Sequence, residues 1–274
     1  MPRLSIITGA YNAASVFTFE KSVRSILSQD FSDFEFIICE DGSTDDTYAV
    51  LLEYARKDER IKVLKNDENK GLAYSLNKCL EVATGEYIAR HDLDDISCKD
   101  RFTKQIEFLD THEGVALVGT GRYLFDEKGV WDEEYMPREV KKENFLFASP
   151  YIHGSVMFRR ETLLKAGGYR VEKITRRTED YDLFMRIATF ADGANIEEAL
   201  YYFLEDKHAV ARRKYRYRID EAKVRYRGFK SLGLMPKGIF YVIKPLIVGL
   251  IPTAIREKLR KRRRAKNAKA INKK

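Results

Sequence analysis

Four short apolar runs alternate with stretches of helical periodicity over the first third of the chain, and this alternation restricts the fold more than anything else in it. The runs are "RLSIIT" (3–8), "FEFIIC" (34–39), "RIKVLK" (60–65) and "EYIARH" (86–91). Between the first two, Val16, Phe19, Val23, Ile26 and Leu27 recur at helical spacing, which predicts an amphipathic helix over 14–29. Ser43 or Thr44 is placed to cap a second helix holding Val50, Leu51, Leu52 and Tyr54. Residues 71–83 form a third, ending near Gly85. Strands and helices joined by short connections predict an α/β fold, an open and mostly parallel sheet with helices on both faces.

In such a sheet, ligands bind in the crevice beyond the carboxyl ends of the strands. Three of those ends are polar clusters, "TGAYN" (8–12), "EDGSTDD" (40–46) and "HDLDD" (91–95), and all three fall on one edge. The last cluster crowds Asp92, Asp94 and Asp95 at the end of a buried strand, where like charges repel. Two readings are open: a solvated acidic turn, or a ledge built for a cation. Carboxylate oxygens are hard ligands suited to Mg²⁺ or Mn²⁺, which take one or two carboxylates plus substrate phosphates. A calcium loop is excluded, because it needs Gly at its sixth position and Glu at its twelfth. Counted from Asp92 these are Ser97 and Thr103; counted from Asp41 they are Asp46 and Leu52.

After residue 95 the alternation loosens. Residues 99–112 read as helix, 114–125 as strand, 126–130 as a hairpin turn, 151–158 as strand and Glu179 to Phe190 as helix. No internal repeat is present, and a domain of roughly 200 residues accommodates this much chain. Several chemistries are excluded. Nothing resembles a P-loop, "GTGRYL" (119–124) lacks the third glycine of a dinucleotide fingerprint, and there is no HExxH and no GxSxG. His91, His112, His153 and His208 are too dispersed for a local metal box, and each reads as structural on its own. Cys39, Cys79 and Cys98 have no pairing pattern, which points to a reducing compartment. The opening "MPRLSIITGAYN" does not read as a signal peptide, so the expected location of the folded part is cytoplasmic.

Charge is divided unevenly. Residues 1–204 hold 27 Lys/Arg against 37 Asp/Glu, whereas residues 205–274 hold 23 against 5. Within that basic end, "GIFYVIKPLIVGLIPTAI" (238–255) is apolar but is interrupted by Lys244, Pro245 and Pro252, short of a spanning helix. Residues 256–274 then carry eleven Lys/Arg against one Glu. An apolar stretch followed by a basic cluster suits an anionic membrane surface. A solvated extension and a nucleic-acid arm, with Tyr215, Tyr217 and Tyr226 as stacking partners, are the competing readings. Nucleic acid is disfavoured, because it leaves the apolar stretch without a purpose.

"SIITGAYNAASVFTFEKSVRSILSQDFSDFEFIICEDGSTDDT", "NKGLAYSLNKCLEVATGEYIARHDLDDIS", "HGSVMFRRETLLKAGGY" and "TEDYDLFMRI" resemble, in order, successive blocks of family 2 glycosyltransferases, which have the GT-A fold. The resemblance covers residues 4–210. It implies that Thr8, Ala10, Tyr11 and Asp41 hold the base and ribose of a nucleotide, with Asp92 near the ribose. It implies a metal, Mn²⁺ or Mg²⁺, on Asp94, and gives His208 as the candidate for a histidine that helps hold metal or diphosphate. The Glu179–Asp180 pair matches the catalytic acids, with Asp180 as the base. By residue type alone the same pair also reads as helix-start acidity favoured by the macrodipole. Three departures stand out. "TGA" replaces the usual proline, Glu40 stands where Asp is common, and the segment before His208 lacks the usual Tyr-Arg, so a surface histidine is the competing reading there.

The resemblance therefore implies a metal-dependent inverting glycosyltransferase that moves a sugar from a nucleotide sugar, a UDP-sugar, to a glycan or lipid-linked saccharide acceptor in cell-surface polysaccharide synthesis. The expected division is 1–210 as the transferase domain, with 1–95 the nucleotide-binding half and 96–210 the acceptor half. Residues 211–274 are expected to form a basic tail holding the enzyme, peripherally, on the inner face of the cell membrane. A basic-tailed nucleic-acid-binding protein and a metal-dependent nucleotidyltransferase are the alternatives.

Overall fold

The computed structural model describes residues 1–205 and 215–252, together with the single positions 255, 258 and 262. Four parallel strands carry the first part: β1 (Leu4–Ala10), β2 (Phe34–Glu40), β3 (Ile61–Lys65) and β4 (Tyr87–Arg90). They are linked by α1 (Phe19–Leu27), α2 (Thr47–Lys57) and α3 (Leu72–Val82). All of β2 and nearly all of β1 are buried, as strands covered on both faces must be. β1 pairs with β2 on one side and β4 on the other, giving the order β3-β2-β1-β4. The direction of sheet growth thus reverses at β1. The gap between the loops after β1 and β4 is the switch point, where such sheets open a crevice.

The second part contains β5 (Ile96–Ser97), α4 (Arg101–Thr111), β6 (Val115–Asp126), β7 (Gly129–Glu134), β8 (Met157–Arg159), α5 (Arg160–Lys165), α6 (Glu179–Ile187) and β9 (Asp192–Leu204). β8 runs antiparallel between β4 and β6, and β6 runs parallel to β9, which extends the sheet to nine strands. Neighbouring residues of one strand feed opposite layers. Ile6 joins Phe19, Val23, Ile26 and Phe102 under α1 and α4, while Ile7 joins Leu76, Cys79, Leu183 and Phe184 under α3 and α6. Two further helices, α7 (Tyr215–Ser231) and α8 (Ile239–Leu250), pack on each other, and α7 packs on α6. Their Ala222, Val224, Phe229 and Val242, with Leu232 from the turn between them, belong to that second layer. The three cysteines are free.

Three elements differ from their sequence expectation, each for a local reason. The helix expected over 14–29 begins only at Phe19, because the preceding residues tie loops together. Thr18 Oγ1 donates to the Asp94 carbonyl at 2.7 Å, and Ala13 and Ala14 donate their N–H groups to Thr47 Oγ1. The strand expected over 151–158 is confined to Met157–Arg159. Before it the backbone makes a single tight turn at His153–Ser155, pressed so close to Tyr201 that a Cβ on Gly154 would meet the hydroxyl at 2.2 Å. No strand is legible at β9, because Glu197 and Glu198 bulge out of it. Thr120 pairs with Ile196 and the next residue, Gly121, with Ala199, which breaks the apolar alternation.

One carboxylate joins α6 to α7. Asp182 Oδ1 accepts Arg170 Nη1 at 3.1 Å and Arg227 Nη2 at 2.7 Å, while Oδ2 accepts Arg186 Nε at 2.8 Å. Asp182 is buried, and its arginine partners are only partly exposed. Asp182→Ala is expected to cost about 2 kcal/mol, below the range for a fully buried pair because the guanidiniums reach solvent. Urea midpoints of the two proteins measure it.

Candidate active site

The loops leaving β1 and β2 are laced together. Asn12 has a left-handed backbone (φ 49°), tolerated by its short polar side chain. Its Oδ1 accepts the Thr44 N–H at 2.9 Å, and its own N–H donates to Ser43 Oγ at 3.0 Å. Asp41 is buried and fully committed. Its Oδ1 accepts Asn66 Nδ2 at 2.8 Å and the Lys70 N–H at 2.9 Å, and its Oδ2 accepts the Gly71 N–H at 2.8 Å. It thereby fixes the loop that enters α3. Of the residues expected to hold a nucleotide, Thr8 and Ala10 lie buried beneath the crevice. The Ala10 carbonyl is taken by the Asp41 N–H at 2.8 Å. The Tyr11 ring, 49% exposed, is the one open to a ligand.

The acidic ledge after β4 rests on a buried cation. Arg90 is fully buried and donates to the His91 carbonyl and to Asp92 Oδ1. Burial pulls its pKa down, but Asp92, Tyr169 and Tyr201 more than offset this and leave it above the ordinary value. Beneath it, Arg101 is brought down to about 10 by burial. Arg101 donates through Nη2 to the Arg90 carbonyl at 2.8 Å and through Nη1 to Ser97 Oγ at 2.9 Å. Burial, followed by Arg101 and Arg90, drives His91 well below its usual value, so the ring is neutral. Its partners fix the tautomer. Ser22 Oγ gives its proton to the Asp92 carbonyl, so it must accept from His91 Nε2 at 2.9 Å. Nδ1 then accepts from Ser97 Oγ at 3.3 Å.

On the ledge, the three aspartates divide. Asp92 is half-buried and held by Arg90, and its N–H donates to the Tyr201 hydroxyl at 3.1 Å. Asp95 is buried, and its Oδ1 accepts the Leu204 N–H at 2.7 Å, tying the end of β9 to the ledge. Burial, then Asp94 and Asp92, raise its pKa well above the carboxylate range. Asp94 is exposed at the crevice, and its carboxylate has no hydrogen-bond partner on another described residue. Desolvation by the surrounding protein, followed by Asp92, pushes it up to about 6.

The first turn of α6 faces the same space. Burial, followed by Asp180, pushes Glu179 up to about 7. Asp180 is raised by burial and held down by the N–H groups of Tyr181 and itself, and both Arg90 and Asp92 act on it. Asp92, Asp94, Glu179 and Asp180 therefore share one field centred on Arg90. His208 lies outside the described residues. Among the described residues no group of three or more His, Cys, Asp or Glu side chains is arranged to hold a metal. The donor set nevertheless fits Mg²⁺ or Mn²⁺: hard oxygens, one carboxylate without a partner on another described residue, and an acidic excess that a dication would relieve.

Arg90, Arg101 and Tyr201 are buried neighbours of these candidates that motif reading misses. The signal available was an arginine ending a strand whose other residues are buried, beside three acids. His91 and His153 serve in buried networks, the latter with Nε2 2.9 Å from the Tyr169 hydroxyl, and His112 stacks on Phe108, as their dispersal implied. The pKa of Glu179 has a consequence for stability. Between about 4.5 (unfolded) and about 7 (folded), the native state keeps a proton that the unfolded chain has released, so stability falls as pH rises through that window. Glu179→Gln is expected to match the wild type at pH near 4 and to exceed its Tm by about 5 °C near pH 8, read by thermal melts.

Comparison with known proteins places this geometry in a lineage. A family model described as glycosyl transferase family 2 matches residues 5–168. EpsE of Bacillus subtilis (strain 168), named as a glycosyltransferase, is 40% identical over 266 residues, 96% of this chain and 94% of EpsE. S. aureus TarS 1–349, solved with UDP, superposes with a TM-score of 0.68 at 20% identity, over 90% of this chain and 70% of that one. The mannosyltransferase PcManGT from Pyrobaculum calidifontis, solved with GDP-Man and Mn²⁺, gives 0.60 at 20% identity, over 93% and 74%. At that identity the two structures establish a shared GT-A-like α/β fold. Matched by the family model over more than half of its length and by EpsE along nearly all of it, this chain belongs to glycosyl transferase family 2 and is a transferase enzyme.

Proposed function

We propose that the enzyme moves a sugar from a UDP-sugar to a glycan or lipid-linked saccharide acceptor in cell-surface polysaccharide synthesis, with inversion at the anomeric carbon. The observation that carries this reading is the shared field of Asp92, Asp94, Glu179 and Asp180 around one buried arginine at the switch point of the sheet. UDP in TarS and GDP-Man with Mn²⁺ in PcManGT, on the same fold, support a nucleotide donor. In this reading residues 1–95 grip the donor and 96–210 the acceptor. Tyr11 stacks against the base, the Thr8–Ala10 backbone and Asp41 shape the floor beneath it, and Asp92 meets the ribose. Asp94 holds Mn²⁺ or Mg²⁺, with His208 as a further candidate. The ion, when bound, neutralises the charge that builds on the departing diphosphate.

Asp180 takes the proton of the acceptor hydroxyl as it attacks. N–H groups at the helix start and Arg90 favour its charged form against the burial that raises it, and direct displacement needs one base and no covalent intermediate. Glu179 lies beside it as the nearest alternative acid. The basic segment 256–274, which carries eleven Lys/Arg against one Glu, supports a peripheral place on the inner face of the cell membrane. Among the described residues no helix is long and apolar enough to cross a membrane.

Two measurements test this. Mn²⁺ with UDP is expected to raise the Tm of the wild type by ligand linkage, and Asp94→Asn to abolish the shift. An undiminished shift in that variant would remove the metal from the ledge. Asp180→Asn is expected to leave the KM for the donor near normal while kcat falls by about 10² or more. Full turnover in Asp180→Asn, with loss in Glu179→Gln, would move the base by one residue.

A further inference from the structure

The pair α7–α8 carries an apolar face that nothing among the described residues covers. On α8, Phe240, Ile243, Ile247 and Leu250 recur at spacings of three, four and three, and are 77, 42, 59 and 72% exposed. The opposite side of the same helix is used for packing: Val242 and Pro245 are buried, and Tyr241 and Leu246 lie on the core. Lys244 is exposed, and helical geometry puts it along one flank of the stripe; Lys237, also exposed, stands in the turn that leads into α8. From Ala222 to Arg256 there is no Asp or Glu, against seven Lys or Arg. Apolar side chains edged by lysine, with the hairpin's two acids, Asp220 and Glu221, both paired to arginines of α7, complement a lipid surface bearing anionic headgroups. The apolar groups enter the acyl boundary, and the lysine stems reach back to the phosphates. A second copy of this chain would instead set one basic hairpin against another.

The end of this stripe lies near the mouth of the crevice. Gly249 sits so close to Tyr215 that an added Cβ would meet the ring at 2.9 Å. Two residues along α7, the Tyr217 ring lies 5.2 Å from the Arg177 guanidinium carbon. Arg177 has a left-handed backbone (φ 73°) and stands two residues before Glu179. Two side-chain contacts thus join the Leu250 end of α8 to the loop that enters α6.

We propose that α8 lies in the plane of an anionic lipid surface, with Phe240, Ile243, Ile247 and Leu250 inserted, and so turns the α6 side of the crevice toward that surface. The significance of that orientation rests on the lipid-linked acceptor proposed above; the docking itself does not. It also differs from electrostatic attraction by the basic tail, because insertion survives salt.

The full chain is sedimented with vesicles of phosphatidylcholine and phosphatidylglycerol, at low salt and at about 0.5 M salt, where surface charges are screened within a few ångströms. The wild type is expected to bind in both. The variant carrying Ile247→Asp and Leu250→Asp is expected to bind tenfold or more weakly at high salt. Both positions are exposed, and an unchanged Tm shift with Mn²⁺ and UDP confirms that its fold and donor site are intact. Phe240→Trp is expected to shift its emission to the blue on vesicle addition, with the buried Trp131 of the wild type as the constant background. The proposal is overturned by wild-type release at high salt, by sedimentation of the double variant like the wild type, or by an unmoved Phe240→Trp emission. It is equally overturned if the double variant turns a dimer into a monomer with vesicle binding intact, which would assign the stripe to a second copy. Loss of sugar transfer or of the UDP shift in the wild type would count against the proposed function and leave the docking result standing.

Discussion

Arg90 is a full positive charge sealed under a ledge of acids, and the crevice is organised around it. An isolated ion in that position is prohibitive, so it is affordable only because it is paired and hydrogen-bonded. It donates to Asp92 and to the His91 carbonyl, and its own carbonyl is held by Arg101. Arg101 also grips Gln105, whose amide reaches the Val118 and Ser155 carbonyls, so the charge is braced across α4, β6 and the turn before β8. In return it moderates the acids that surround it. Asp94, Glu179 and Asp180 are all raised by burial and all held down in part by Arg90. One cation against several carboxylates leaves an acidic remainder, the charge that a dication on Asp94, as proposed above, would offset.

The rest of the crevice is ordered in advance. Asp41 could read as a free carboxylate at the end of a strand, yet both its oxygens are spent on the entrance to α3. Asn12 and Thr47 stitch the first two loops, and Thr18 and Ser22 stitch α1 to the third. A ligand entering such a site has less ordering to do, since the loops lost their freedom when the chain folded. Tyr201 works in the same way, accepting the Asp92 N–H from the neighbouring part of the sheet.

The first four strands were legible because buried parallel strands read as apolar runs, and because polar residues at their carboxyl ends had to share an edge. β9 was not, since the bulge at Glu197 and Glu198 puts two acids inside a strand and destroys its period. α7 was hidden for another reason: of its seventeen residues only Asp220, Ala222, Val224, Arg225 and Phe229 are buried, and the charged pattern around them looks like solvated tail. The motif candidates Asp92, Asp94, Glu179 and Asp180 are gathered by the fold around Arg90. Arg90 was passed over, because sequence cannot distinguish a buried arginine from a strand-end surface one. His208 follows β9 in a segment beyond the described residues.

Asp182 has a mechanical consequence. One carboxylate clasps guanidiniums from the loop before α6, from α6 itself and from α7. Those three pieces therefore turn as a single lever, with the clasp as pivot. A tilt of the helical hairpin is carried to the opening turn of α6 and the carboxylates it bears, without passing through the sheet.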